Sequence, residues 1–367
     1  MPSEHSRVCM SSRDRVLETF RYGKPDRIPL DYGANPAIHG RVCRALGIDP
    51  HAPDGLERLL RALDVDFRGL GAPCRPKGLF PELPDRRVDP IYGFVMRRVE
   101  HESGEYWDFC DFPLKEAGPE IVASYPIAHP DDFDYDVAMD MLSTFDDKAV
   151  YVGDPGTADI INSTGRLMGM EDTLVNLWQE DEATLAYIDR AIAMELEILE
   201  RLIVKARGRV DFLWIGEDLG TQHAPMISLE LYRKVLRPRH QRYINLADAY
   251  RLPVMVHTCG SSSWAYEDFI EMGVTAVDTL QPEATGMSPR TLVERFGGRL
   301  AFHGCISTAG PLAYGTVADI EREVHETMAF FKPHGGYCMA PTHWIQDNTP
   351  VENVLAMYRT AQAEGWY

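Results

Sequence analysis

From residue 27 to residue 364 short apolar runs alternate with stretches of helical periodicity, and this alternation is what most restricts the fold. Strands are expected at 27–33, 64–71, 149–153, 210–216, 253–256, 276–280, 300–304 and 336–340. Helices are expected at 12–26, 39–46, 56–63, 168–207, 229–250, 264–272, 289–296, 317–331 and 351–364. Eight strands alternating with helices specify α/β architecture, a closed parallel (β/α)8 TIM barrel, and 367 residues suit one such domain spanning 1–367 with insertions. A doubly wound open sheet is the competitor, but no G-x-G-x-x-G follows any strand and there is no P-loop. Between 85 and 113 the pattern becomes alternating, with a turn at Ser103-Gly104, which reads as a β-hairpin inserted after the second strand. Its aromatic residues Tyr92, Phe94, Tyr106, Trp107 and Phe109 either pack or close over a ligand. The 125–135 segment reads as a proline-rich acidic connector, and 1–11 as a loose polar start.

Charge narrows the partners. A net charge of −19 opposes binding to nucleic acid or to an anionic membrane, because phosphates are repelled before contact. Seven cysteines without a pairing rhythm point to a reducing compartment, and no apolar run reaches the roughly 18 residues of a membrane span. A cytoplasmic enzyme is the expectation.

In a parallel barrel the chemistry lies at the C-terminal strand ends, and the polar residues collect there. The run 253–256 leads straight into His257-Thr258-Cys259-Gly260. In extended chain, residues two apart share a face about 6–7 Å apart, so His257 and Cys259 can converge on one ion, and imidazole with thiolate favours zinc. The alternative is a His and a small Cys that merely pack. For a third ligand His343, just past the eighth strand, is favoured over Cys305 and over Cys338, which lies inside that strand. Glu217 reads as a fourth ligand or general base, and either Glu217 or Asp218 beside it could serve as fourth ligand or proton carrier. Asp31, His223, Gln281, Glu283 and His303 read as pocket residues, against the alternatives that the acids and Gln281 satisfy backbone groups and that His303 is a packed or hydrogen-bonded core histidine.

Six stretches carry a resemblance across nearly the whole chain: RDRVLETFRYGKPDRIPLDYG, WIGEDLGTQHAPMISLELYRKVLRP, VMVHTCGS, LQPEATGMSP, FHGCIST and GGYCMAPTHWIQDNTPVENVLAMY. They resemble the uroporphyrinogen decarboxylase superfamily, in particular its zinc-dependent, corrinoid-linked methyltransferase branch. That branch is known for an H-x-C…C zinc site, and His257 and Cys259 fall on its first two positions. The third departs: where the coenzyme M enzymes place Cys in a P-G-C turn, this chain has Pro341-Thr342-His343. A neutral His in place of thiolate makes the zinc a stronger Lewis acid, which argues against a thiol acceptor and for an O-methyl or N-methyl donor. The porphyrinogen enzymes carry R-Q-A-G-R-Y near the N-terminus, and here Gly33-Ala34-Asn35-Pro36 stands in that region, so porphyrinogen decarboxylation is not expected. The resemblance implies methyl transfer between a small O- or N-methylated substrate and a corrinoid. No D-x-H-x-x-G motif is present, so a partner protein would carry that corrinoid. A homodimer is common among the proteins it resembles. Two other functions stay open: a decarboxylase or lyase of a small carboxylate on the same fold, and a non-catalytic binding protein.

Overall fold

The computed structural model describes residues 9–75, 78–102 and 104–367. Its strands are β1 (Phe67–Gly69), β2 (Arg87–Val88), β3 (Val95–His101), β4 (Gly104–Phe109), β5 (Ala149–Gly153), β6 (Phe212–Gly216), β7 (Val254–His257), β8 (Ala276–Leu280), β9 (Ala301–Ile306) and β10 (Tyr337–Pro341). The class is α/β: β5 to β7 pair in parallel, as do β8 to β10, and β2 to β4 form an antiparallel sheet. The chain divides into two compact units. One runs to Arg68 and takes in Asp146–Ala149 and Thr275–Tyr367; the other is Gly69–Phe145 with Val150–Val274.

In the first unit β8, β9 and β10 pair in parallel, and every residue of the three is buried. Strands covered on both faces read as largely apolar runs, here interrupted by Asp278 and Thr279 in β8 and by His303 in β9. The expected first strand at 27–33 is instead two isolated bridges, an antiparallel one from Arg27 to Trp366 and a parallel one from Leu30 to Met339. Pro29 has no N–H to give, so the ladder is limited to Asp31 N donating to Met339 O at 3.0 Å and Met339 N donating to Pro29 O at 2.9 Å. The first helix is shorter than expected, Ser12–Phe20, with Ser11 as N-cap accepting from Asp14 N. Behind it Asp66, fully buried, takes Arg15 Nη1 at 2.6 Å and Arg27 Nη1 at 2.8 Å, and its Oδ2 also accepts the Leu30 amide.

In the second unit β5, β6 and β7 pair in parallel, with Gly216 opposite His257. The helical stretch expected as one piece at 168–207 is broken into Ile160–Met168, Met170–Gln179 and Glu182–Lys205. Gly169 adopts a φ of 88° that only glycine takes easily, and Asp181 starts the last helix by accepting Thr184 N. Further helices at Pro119–Ser124 and Tyr135–Leu142 flank the segment expected as connector. β3 pairs antiparallel with β4, Val99 opposite Tyr106; Ser103 of the expected turn, and 1–8 of the expected loose start, lie outside the described residues. No helix among the described residues is long and apolar enough to cross a membrane.

Candidate metal centre

Register sets the site. Because Gly216 is paired with His257, β6 and β7 end level, and Glu217 N donates to His257 O at 3.0 Å. The loops beyond then pack backbone against backbone: a Cβ on Gly260 would stand 2.4 Å from Gly220 O, and Gly260 has a φ of 70°. Ser261 N closes the contact on Thr221 O at 2.8 Å. Asp218 is thereby brought against Cys259, whose amide donates to Asp218 Oδ1 at 2.9 Å.

Asp218, His257 and Cys259 offer one oxygen, one nitrogen and one sulfur within 4.8 Å of one another. Cys259 Sγ lies 3.4 Å from His257 Nε2, which lies 3.8 Å from Asp218 Oδ1. Bond lengths of about 2.0–2.3 Å to a tetrahedral zinc put neighbouring ligand atoms roughly 3.5 Å apart, so the donor set fits that ion in type and in spacing. Asn162 Nδ2 holds the other Asp218 oxygen at 3.0 Å, the kind of outer hydrogen bond that orients a ligating carboxylate. Burial disfavours the Asp218 charge, but His257, the Cys259 amide and Asn162 outweigh it and leave the carboxyl below its ordinary range. Burial pushes the Cys259 thiol up despite His257, so cation binding there would have to expel a thiol proton.

Glu217 faces elsewhere. Its oxygens accept Ile160 N and Ile161 N, both at 3.0 Å, at the start of the helix Ile160–Met168. Its Oε2 also lies 3.1 Å from His240 Nε2. Burial pushes Glu217 up to about 8 against the two helix amides, and pushes His240 down to about 4, so burial favours the uncharged form of both partners. Glu217 is therefore a fixing point for the helix that carries Asn162, and Asp218 is the acid turned toward His257 and Cys259.

The remaining candidates distribute as follows. His223 is on an exposed loop of the same unit, its amide donating to Thr221 Oγ1. In the other unit His343 is exposed just beyond β10, Glu283 is exposed and accepts Ser307 Oγ at 2.9 Å, and Gln281 is half-buried. Cys305 and Cys338 are buried there. Asp31 and His303 do come together, with a third residue that sequence reading missed. His303 Nδ1 is 2.5 Å from Asp278 Oδ1 and its Nε2 3.2 Å from Asp31 Oδ2, with Phe67 edge-on to the ring. Burial opposes a charge on His303, but the two carboxylates prevail and push it up to about 9. Asp278 was findable: it is the one ionisable residue in the run Ala-Val-Asp-Thr-Leu of β8. Asn162, at the start of a helix, carried no comparable signal.

The family model of uroporphyrinogen decarboxylase (URO-D) matches residues 161–363. Among solved structures, a methyltransferase from Methanosarcina mazei is similar over 96% of this chain and 99% of its own, at 16% identity and a TM-score of 0.64, which shows a shared fold. Xylanase 10B from Thermotoga maritima matches at 13% identity over 64% of this chain and 82% of its own with a TM-score of 0.40, too low to argue from. No curated protein matches the chain.

Proposed function

We propose that the chain, which belongs to the uroporphyrinogen decarboxylase family, is a zinc-dependent methyltransferase that moves a methyl group between a small O- or N-methylated substrate and the corrinoid of a separate partner protein. The observation that carries the reading is the convergence of Asp218, His257 and Cys259 at the level ends of β6 and β7. The shared fold with a protein described as a methyltransferase supports it.

The three side chains would hold the metal, with substrate or a further side chain completing the set. Bound there, zinc supplies Lewis acidity toward the heteroatom that carries or receives the methyl group. The chain's own part is orientation. Asn162 and the Cys259 amide fix both oxygens of Asp218, Gly220 against Gly260 locks the two loops, and Glu217 anchors the helix on which Asn162 stands.

The test is methyl transfer to a reduced corrinoid protein, followed by its absorbance change, with methoxylated and methylamine donors and with the Cys259→Ala variant beside the parent. Transfer by the parent and its loss in the variant is the expected result. Turnover of a small carboxylate without any partner, retained in Cys259→Ser, would replace this reading with a decarboxylase.

A further inference from the structure

The second unit contains a cavity of about 670 Å³ that no part of the metal site uses. It is walled by Tyr92, Phe94 and Phe109 of the antiparallel sheet and its approach, by Tyr151 of β5, and by Met194 and Leu199 of the helix Glu182–Lys205. This volume is in the range of pockets that enclose drug-sized molecules, and methanol or methylamine would leave most of it to water.

Its polar groups are unevenly committed. The three wall carboxylates have donors from the protein itself: Asp89 takes the Ile91 and Tyr92 amides, Asp154 the Gly156 and Thr157 amides, and Glu195 the hydroxyls of Tyr92 and Tyr243 with the Ala158 amide. Two guanidinium groups also reach the wall, Arg87 and Arg166. Among the described residues neither has a carboxylate within ion-pair distance or a protein acceptor for its N–H groups. Arg166 instead lies with its carbon 4.6 Å from the Phe109 ring centre and 5.6 Å from that of Phe94. A cation–π contact of this kind uses none of the guanidinium N–H groups as hydrogen-bond donors, and those groups are what a carboxylate takes in a two-pronged contact. Arg87 is exposed, and Asp159 acts on Arg166 only through space, so the half-buried N–H groups of Arg166, in an aromatic cavity of a chain of net charge −19, are the donors open to a ligand.

We propose that this cavity binds an aromatic carboxylate, its carboxylate on the edge of Arg166 with Arg87 beside it and its ring against the aromatic and aliphatic walls. Arg166 and Ser163 line the cavity from the helix Ile160–Met168, and Asn162 of the same helix holds Asp218. This binding does not rest on the methyl-transfer reading.

The experiment is calorimetric titration of the metal-free full chain with 4-methoxybenzoate and with its neutral isostere 4-methoxybenzamide, using the parent, Arg166→Gln, Arg166→Lys, Arg87→Gln, and Arg290→Gln in the other unit as control. The acid binds the parent at least about tenfold more tightly than the amide; Arg166→Gln loses about tenfold or more, Arg166→Lys less, and Arg290→Gln nothing. Circular dichroism checks folding, and if Arg166→Gln is unfolded the acid-against-amide ratio and Arg87→Gln decide. No binding of the acid by the folded parent, equal binding of acid and amide, or unchanged affinity in folded Arg166→Gln overturns the assignment. Because neither metal nor corrinoid protein is present, acid binding without any methyl transfer in the assay above would sink the methyltransferase reading alone.

Discussion

Asp218 and Cys259 are joined across two loops, the Cys259 amide donating to Asp218 Oδ1 at 2.9 Å, while the Cys259 thiol stands 3.4 Å from His257 Nε2. Backbone and side chain of one residue thus tie an acid, an imidazole and a thiol into a single donor set.

Elemental analysis of the purified chain after zinc reconstitution should find close to one zinc per chain, and little in Asp218→Ala or Cys259→Ala. Asn162→Ala keeps all three donors but frees the carboxylate, and zinc affinity should fall about 10-fold to 100-fold, as for other outer hydrogen bonds to a ligating group. His343→Ala in the same series tests the expectation from sequence that His343 is a ligand: its zinc content falls if so. A full complement of zinc in Cys259→Ala would end the assignment.

Glu217→Ala leaves two helix amides without their buried acceptor and a void beside His240. Stability in urea should drop by roughly 3 kcal/mol, and Glu217→Gln, which keeps one oxygen, should lose about half of that. An unchanged midpoint in Glu217→Ala would show that the carboxyl does not hold the helix.

His303 makes stability depend on pH. Its ordinary value is about 6.5 in the unfolded chain, and in the fold it is raised to about 9 by Asp278 and Asp31 despite burial. A raised imidazole contributes stability that is complete below about pH 6.5 and is lost as pH rises through 9, here on the order of 3 kcal/mol. His303→Gln should therefore be much less stable than the parent at pH 6, with the gap narrowing toward pH 9 in urea melts taken across that interval. A gap that stays constant with pH would refute the charged imidazole.

Asp66 binds both Arg15 and Arg27 with no exposure of its own side chain. Asp66→Ala leaves two buried guanidinium groups short of a counter-charge, and a loss of about 3–5 kcal/mol is expected from thermal or urea unfolding. A loss under about 1 kcal/mol would mean that Asp26, 2.7 Å from Arg15, and Asp64, 2.9 Å from Arg27, suffice as counter-charges.

What periodicity could reach was local. The helices Pro289–Phe296, Val317–Phe331 and Val351–Glu364 and the strands Ala149–Gly153 and Ala276–Leu280 stand where the apolar pattern puts them. The misses have local causes too: Pro29 breaks a ladder that the apolar count alone would extend, and Gly169 and Asp181 divide a stretch whose leucines and alanines read as one helix.

The site divides in the same way. The sequence by itself determined that His257 and Cys259 leave a buried strand on the same side, because extended chain repeats every two residues, and that acids crowd the strand ends. Which acid joins them was decided by the tertiary structure. Glu217 and Asp218 are adjacent and similar in chemistry, yet neighbouring side chains leave a strand end in opposite directions: one goes to the amides of Ile160 and Ile161, the other to Cys259. That choice depends on the pairing of Gly216 with His257, on Gly220 meeting Gly260, and on where the helix Ile160–Met168 begins. Each is a contact between segments tens of residues apart, and no local pattern encodes it.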